Sequence, residues 1–515
     1  MRLPILVPLV PFLFLSACSL HDRQELPKPE MPPAFRNAAV LKAEKGRTSP
    51  AEAPPGLPKP LSEWWREFGS EELNTLVARV LANNHDLKAA IHRIAQAEAQ
   101  AGVAASSLLP SLQFGGKVQT DAPIGGPGAR DSYSNGHGER SHQFGLTASY
   151  ELDLWGKNRW TEENALDNAR ASIFDREVVA LTLVADTVTT FFQYLQAQDR
   201  ITVTERSIEN MTNVLDVVKK RKRIGEGTDV EIEQQKTALF QARAQLAPLV
   251  RTREQSLNRL GVLLGEPPGT YRPAGTGMEV LRMPEVPEAL PSQLLESRPD
   301  IRKAEANLSA ADANIGVARA QRLPTFSITG EHGLASAFWA TLFQPKAFYY
   351  LIAGNAAATL FDNGKISSQI DYSRAVYAER MESYRQSILN ALRDVEDALV
   401  SVRQTALQEA AQTEAWASAA NAYRLSKVAF HIGTADYLTL LETERTQYQT
   451  EDAKVQARFD RLSAMVTLFR GLGGGFDAGK GEGEKAKVEP VSDGWFPERK
   501  PQPPAIGNAA WSATG

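Results

Sequence analysis

Cysteine is almost absent: the 515 residues contain one, Cys18. A single thiol forms neither an intrachain disulfide nor a Cys-based metal site. The seven histidines are scattered, with no His-Glu-x-x-His and no pair at ligand spacing. No Walker loop occurs either. Gly125-Gly126-Pro127-Gly128 falls between two predicted strands, not between a strand and a helix, so it reads as a loop and not as a phosphate cradle. His137 and His142, which flank it, are expected to be exposed polar residues. No catalytic, cofactor-binding or metal site is therefore expected. An excess of one charge is also missing: 57 basic residues stand against 61 acidic ones, interspersed, which leaves no basic face for nucleic acid. After residue 20 no uninterrupted apolar run reaches 18 residues. No transmembrane helix is expected, and any membrane crossing must be made by strands.

What is present is a duplication. Residues 71 to 110 recur as 285 to 324, 214 positions later, with Asp86/Asp300, Ala97/Ala311, Gly102/Gly316, Ala104/Ala318, Leu109/Leu323 and Pro110/Pro324 in register. A second set, Gly156-Lys157 with Gly364-Lys365 and Ile224-Gly225 with Ile432-Gly433, runs at an offset of 208. The halves thus differ by six residues in a loop between Pro110 and Gly156. Whatever one half builds, the chain builds twice.

Periodicity shows what each half builds. After Pro110, Leu112, Phe114 and Val118 are apolar and alternate with Ser111, Gln113, Lys117 and Gln119; Phe326 and Ile328 repeat the pattern after Pro324. The longest alternation is Gln143 to Leu154, with Phe144, Leu146, Ala148, Tyr150, Leu152 and Leu154 on one side. Its weaker, Ala-rich counterpart is Leu351 to Leu360. Such strands suit either a half-buried soluble sheet or a membrane barrel with lipid outside and water inside. Between the strand pairs the chain reads as helix. Residues 157–224 and 365–432 contain no proline and predict two rods of roughly 100 Å. Shorter helices are expected at 228–264 and 291–323 in one half, and at 434–472 and 71–109 in the other. Each short pair can stack end to end beside a rod. Pro248 should kink the first of them.

The amino terminus reads as an export signal: Arg2, an apolar stretch from Leu3 to Leu15, then Leu15-Ser16-Ala17-Cys18. Its ending resembles the lipobox of bacterial lipoproteins, which implies acylation of Cys18, and Ser19 resembles the following residue of lipoproteins sorted to the outer membrane; an ordinary secretory signal with a chance cysteine is the plain alternative. Residues 20 to 60 are Pro-rich and read as an extended linker, and 473 to 515 as a disordered tail.

Several motifs together resemble one family. They are Tyr150-Glu-Leu-Asp-Leu-Trp-Gly-Lys157, Arg298-Pro-Asp-Ile-Arg302, Ile315-Gly316 with Ala318 and Pro324, Phe361-Asp-Asn-Gly-Lys365, and Gly433-Thr434 leading into Tyr437-Leu438. In this order around a duplication they resemble the outer-membrane efflux proteins of Gram-negative bacteria (the TolC, OprM and NodT group), over roughly residues 60 to 472. The lipobox is similar to that of the lipid-anchored branch. The resemblance implies a mainly α fold with a membrane β-barrel: a homotrimer in which each subunit gives four strands to a barrel continuous with a long periplasmic α-helical barrel and a mixed equatorial belt. Independently, four strands cannot close a barrel and lipid tolerates no open edge, so subunits must share one.

The expected organisation is a signal peptide at 1–17, a lipid-anchored linker at 18–60, and a first structural repeat at 61–265. An equatorial segment at 266–291, a second repeat at 292–472 and a disordered or belt-associated tail at 473–515 complete it. Pro110 and Pro324 are read as helix-to-strand switches, and Trp155, Gly156 and Gly364 as turns at the periplasmic interface. The resemblance further implies a periplasmic aperture built from Leu438, Glu442 and Arg445, which are spaced to share one helix face. Glu442 stands where that branch has an aspartate, and the first-repeat counterparts Val230, Gln234 and Thr237 are uncharged. A solvent-exposed Glu442–Arg445 pair on an ordinary helix is the plain alternative. The partners implied are outer-membrane lipid, a periplasmic adaptor and an inner-membrane pump. The function implied is the exit duct of a tripartite efflux system; a type I secretion duct shares the architecture. A structural lipoprotein that tethers the envelope would leave the alternation of 143–154 unexplained.

Overall fold

The computed structural model describes residues 21, 23–24, 31–37, 63–121, 139–274, 277–286 and 291–474. Cys18, the glycine loop with His137, most of the linker and nearly all of the tail lie outside the described residues.

Among the described residues, seven helices exceed ten residues: α1 (Glu71–Asn83), α2 (His85–Ser106), α3 (Lys157–Arg223), α4 (Asp229–Leu263), α5 (Pro299–Ala320), α6 (Lys365–His431) and α7 (Tyr437–Gly471). The duplication is visible in their lengths. The rods α3 and α6 have 67 residues each, α4 and α7 have 35 each, and α2 and α5 have 22 each. α3 packs on α4 over one part of its length and on α2 and α5 over another, while α6 packs on α7 and α5. The shorter helices therefore do lie along the rods.

Both rods start in the same way. Gly156 and Gly364 take left-handed conformations, with φ of 77° and 83°, which a side chain rarely adopts. Just before each glycine an aspartate caps the rod. Asp153 accepts from the backbone N–H groups of Asn158 (3.1 Å) and Arg159 (3.0 Å). Asp362 accepts from those of Gly364 (2.9 Å) and Ile366 (2.8 Å). The Ile366 N–H, with its neighbours, holds the Asp362 carboxyl below its ordinary range. At the far end of α3, Lys220 to Arg223 complement the negative end of the helix dipole.

Four antiparallel strands, β1 (Ser111–Asp121), β2 (Glu139–Leu152), β3 (Thr325–Ser336) and β4 (Phe348–Ala357), form one sheet in the order β1-β2-β3-β4. The order leaves β1 and β4 as open edges.

Four expectations need correction. β4 lies three residues earlier than 351–360, because Thr325 pairs with Ala357 and β3 offers nothing beyond Pro324 for Ala358 to Leu360 to pair with. The helix expected over 71–109 is interrupted at Asn84, whose side chain leaves the helical line to cap α2 by accepting from the N–H groups of Asp86 (2.8 Å) and Leu87 (3.1 Å). The one expected over 291–323 is broken at Arg298, which is extended (φ −99°, ψ 117°) because Pro299 comes next. His142, expected to be exposed, is 7% exposed, with its ring 4.7 Å from that of Trp339. It has the parity of Phe144 and so falls on the apolar side of β2. Pro248 stays inside α4, whose helix runs on to Leu263.

The principal core sits at mid-height, where the short helices meet. Phe68, Leu76, Val80, Phe191, Phe192, Leu260, Leu294, Ile301, Val395 and Phe469 belong to it. Arg298, largely buried, ties the junction by bonding Asp300 (3.0 and 2.7 Å), the Gly471 carbonyl (2.9 Å) and Asp394 (3.4 Å). A stretch of α3 is long and apolar enough by composition to cross a membrane, but more than half of it is buried, and Leu183 to Leu195 face this core. Its apolarity serves packing.

Candidate functional site

The sheet has one continuous apolar face. Register places Leu112 opposite Ala148, Phe114 opposite Leu146, Tyr150 opposite Ile328, Leu334 opposite Phe348 and Ile352 opposite Gly330, all of even number. The odd face carries Gln113, Lys117, Gln143, Thr147, Ser149, Glu151, Ser327, Glu331 and Asn355. Leu112, Phe114, Leu146, Ile328, Phe348, Tyr350 and Ile352 are exposed. A half-buried sheet of a soluble domain would cover such a face; among the described residues these seven side chains are uncovered, as those of a lipid-facing wall must be. Where Phe144 faces Gly116, its ring occupies the space a Cβ there would take, 2.4 Å from the ring edge. At the base of the sheet the Trp155 indole N–H donates to the Pro324 carbonyl at 2.6 Å. Two of the predicted junction residues therefore meet directly.

At the other end of the rods, α6 stops at His431 and Gly433 reverses the chain with φ of 77°. The Asp436 side chain then caps α7, accepting from the Thr439 N–H at 2.8 Å. Helical spacing splits the first turns of α7 into two faces. Tyr437, Leu440 and Glu444 are buried, and Tyr437 and Leu440 pack with Val214, Val218, Tyr423 and Phe430. Leu438, Glu442 and Arg445 lie on the other side, Leu438 at 61% exposure. No ion pair joins Glu442 to Arg445 among the described residues, so the local-pair reading has no contact to rest on. Val230, Gln234 and Thr237 share the corresponding face of α4.

Glu444, which no sequence motif marks, is the buried polar centre of this tip at 2% exposure. It accepts from the Tyr423 hydroxyl (3.3 Å) and the Gln235 amide (3.3 Å). Gln235 in turn donates to the Met211 carbonyl (3.1 Å) and accepts from the Tyr437 hydroxyl (2.7 Å). One network joins α3, α4, α6 and α7. Burial pushes the Glu444 carboxyl above its ordinary range, and the Gln235 and Tyr423 hydrogen bonds and the Lys427 charge pull it partly back. Burial, reinforced by the Glu444 charge, likewise raises both tyrosines.

A carboxyl whose folded-state pKa is raised contributes its full stability below its ordinary value of 4.5 and loses it as pH rises through the folded value. Glu444→Gln should therefore slow amide exchange at the tip at neutral pH and match the parent near the ordinary glutamate range. Identical exchange at neutral pH would show that Glu444 carries no strain. The one signal for it in the sequence is its place as an acid at i+7 from Tyr437, which marks burial only once the buried face of the helix is assigned.

The geometry can be set against known proteins. The profile of the outer membrane efflux protein family matches residues 76–266 and 290–474, one segment per repeat. The chain belongs to this family. It is 35% identical over 420 residues to the pyoverdine export outer membrane protein OpmQ of Pseudomonas aeruginosa, covering 81% of this chain and 88% of that one. To the OpmQ of Pseudomonas putida it is 33% identical over 481 residues, covering 93% and 99%. The solvent efflux pump outer membrane protein SrpC of Pseudomonas putida is 29% identical over 476 residues, covering 91% and 98%. Among solved structures the fold is similar to the outer-membrane channel OprN (TM-score 0.80, 23% identity, 89% and 99% covered) and to the Campylobacter jejuni CmeC channel (0.81, 24%, 91% and 97%).

This efflux protein is therefore an outer-membrane channel and not an enzyme. Its four strands are one subunit's share of a membrane β-barrel, and its rods continue that barrel as a helical one. Channels of this family are homotrimers that work with an adaptor and an inner-membrane pump.

Proposed function

We propose that the tip of this efflux duct is its closed end, where three copies of Leu438, Glu442 and Arg445 converge on the axis and constrict the pore until a periplasmic adaptor opens it. The observation that carries this is the division of α7. Leu438, Glu442 and Arg445 present one bare face while Tyr437, Leu440 and Glu444 of the same turns are held in the helix packing. Bare charge on one hairpin of the two, with Val230, Gln234 and Thr237 on the other, gives a threefold ring of acids and arginines under a leucine ring. Replacing Glu442 and Arg445 with alanine should raise single-channel conductance in a planar bilayer by severalfold and let large antibiotics leak inward in cells. Unchanged conductance in a correctly assembled trimer would return these residues to an ordinary solvated face.

The same proposal includes the anchor. Cys18 as the acylated first residue of the mature chain is supported by the contacts of the residues just after it. His21, 2% exposed, bonds Asp312 through Nε2 (2.9 Å) and Arg319 through Nδ1 (3.0 Å). The Gln24 N–H donates to the same Asp312 (3.1 Å), and Arg23 pairs with Asp167. These contacts fasten the segment near the barrel ends of α3 and α5. For cargo, relatives named for pyoverdine export and solvent efflux support small molecules over secreted proteins.

A further inference from the structure

We infer that the chain's internal repeat fixes how copies of it join, down to the register of the closing strand pair and the identity of ion pairs between subunits. The inference rests on the trimeric duct reading. Within one subunit the repeat relates α2 to α5, α3 to α6 and α4 to α7, yet α3 makes two contacts that α6 lacks. It packs on α5 near the barrel and on α7 near the tip. Applying the repeat to those two contacts places α6 against α2 and α4 of a neighbouring copy.

The side chains at these contacts change type on both sides together. Arg206 of α3 pairs with Glu451 of α7. Shifted by the 208-residue offset, forward and back, these become Glu414 and Arg243, the same ion pair with its signs exchanged. Both are exposed in the single subunit. Arg200 and Asp452, bonded at 2.7 and 2.9 Å, become Gln408 and Ala244, so that both charges are lost together and neither is left facing an uncharged partner. Arg302, whose guanidinium lies 5.5 Å from the centre of the Phe174 ring, becomes Lys88, and Phe174 becomes Glu382, an opposite-charge pair. Trp160, packed on Gly316, becomes Ser368 opposite Gly102, beside which nothing of the same subunit lies within 4 Å. Unrelated solvated faces would have no reason to stay compatible position by position.

The open sheet edges obey the same rule. β2 pairs with β3 with Thr147 opposite Glu331 and Leu146 opposite His332. Shifted, Asn355 of β4 faces Lys117 of a neighbour's β1, and Gly354 faces Val118. Even residues meet even ones, so the apolar face continues unbroken around the barrel.

The test uses full-length protein with cysteines added at Lys117 and Asn355. Oxidation should yield covalent dimers and trimers, whereas Gln113→Cys with Asn355→Cys should yield neither, the parent chain controlling for Cys18. Arg243→Glu and Glu414→Arg should each lower the dissociation temperature of the trimer by a few degrees at low salt, and together should restore it. Cross-linking through Gln113 instead, or a double variant no better than the singles in an intact trimer, overturns the proposed interface while the trimer stands. A parent protein that is monomeric by light scattering overturns the trimer reading beneath it.

Discussion

Leu146→Arg should keep this channel from assembling in the outer membrane, whereas Thr147→Arg should leave assembly intact. The two positions are adjacent in β2 and differ in the face they present. Leu146 lies between Phe114 and His332 on the bare apolar side, and Thr147 between Gln113 and Glu331 on the polar side. An arginine on a lipid face at mid-bilayer costs about 2 to 4 kcal/mol, and one in a water-filled lumen costs little. A homotrimer repeats the penalty in every subunit, which makes the defect one of assembly and not of gating. Heat-modifiable trimer in outer-membrane fractions is the readout. If both variants assemble equally well, β2 does not face lipid with its even side.

Most of this architecture can be read from the chain because it is periodic. Alternation over 143–154 gives a strand with two unlike faces, the proline-free stretches give rods whose observed bounds fall within a residue of expectation, and the duplicated Gly156 and Gly364 give the turns that start them. What could not be read depends on residues far apart in sequence. Asn84 breaks its helix, and its amide donates to the Leu263 carbonyl at 2.9 Å, a partner 179 positions away. His142 reads as a loop residue because Trp339, which covers it, comes from the other repeat. Glu444 carries no motif, and its burial requires Gln235 from one hairpin and Tyr423 from the other. The residues proposed for the aperture are reached through their resemblance to a family, since helical spacing alone cannot say which face of α7 is bare.

The mid-height belt is the least visible part, marked in the sequence only by its prolines, and it is where a single truncation should do most damage. Phe192 is fully buried, with its ring 5.0 Å from Phe68 and 6.4 Å from Phe191. Phe68 closes the short helix Trp64–Phe68, and Trp64 stacks on Phe469 near the end of α7 at 5.2 Å. Removing the Phe192 ring therefore opens a cavity where the start of the first repeat, the middle of α3 and the end of the second repeat are joined. Truncating a buried phenylalanine costs about 3 to 5 kcal/mol, while an exposed apolar side chain such as Val280 should cost within about 0.5 kcal/mol when cut to alanine. Phe192→Ala should lower the denaturation midpoint of the detergent-solubilised trimer, followed by Trp64 fluorescence, and expose residues 63–69 to protease. Val280→Ala should do neither. Because the apolar stretch of α3 around Phe192 is long enough to cross a membrane by composition, the experiment also separates two origins for that apolarity. Lipid contact would leave Trp64 unmoved by the truncation, whereas packing in the belt ties the two aromatic groups through Phe68.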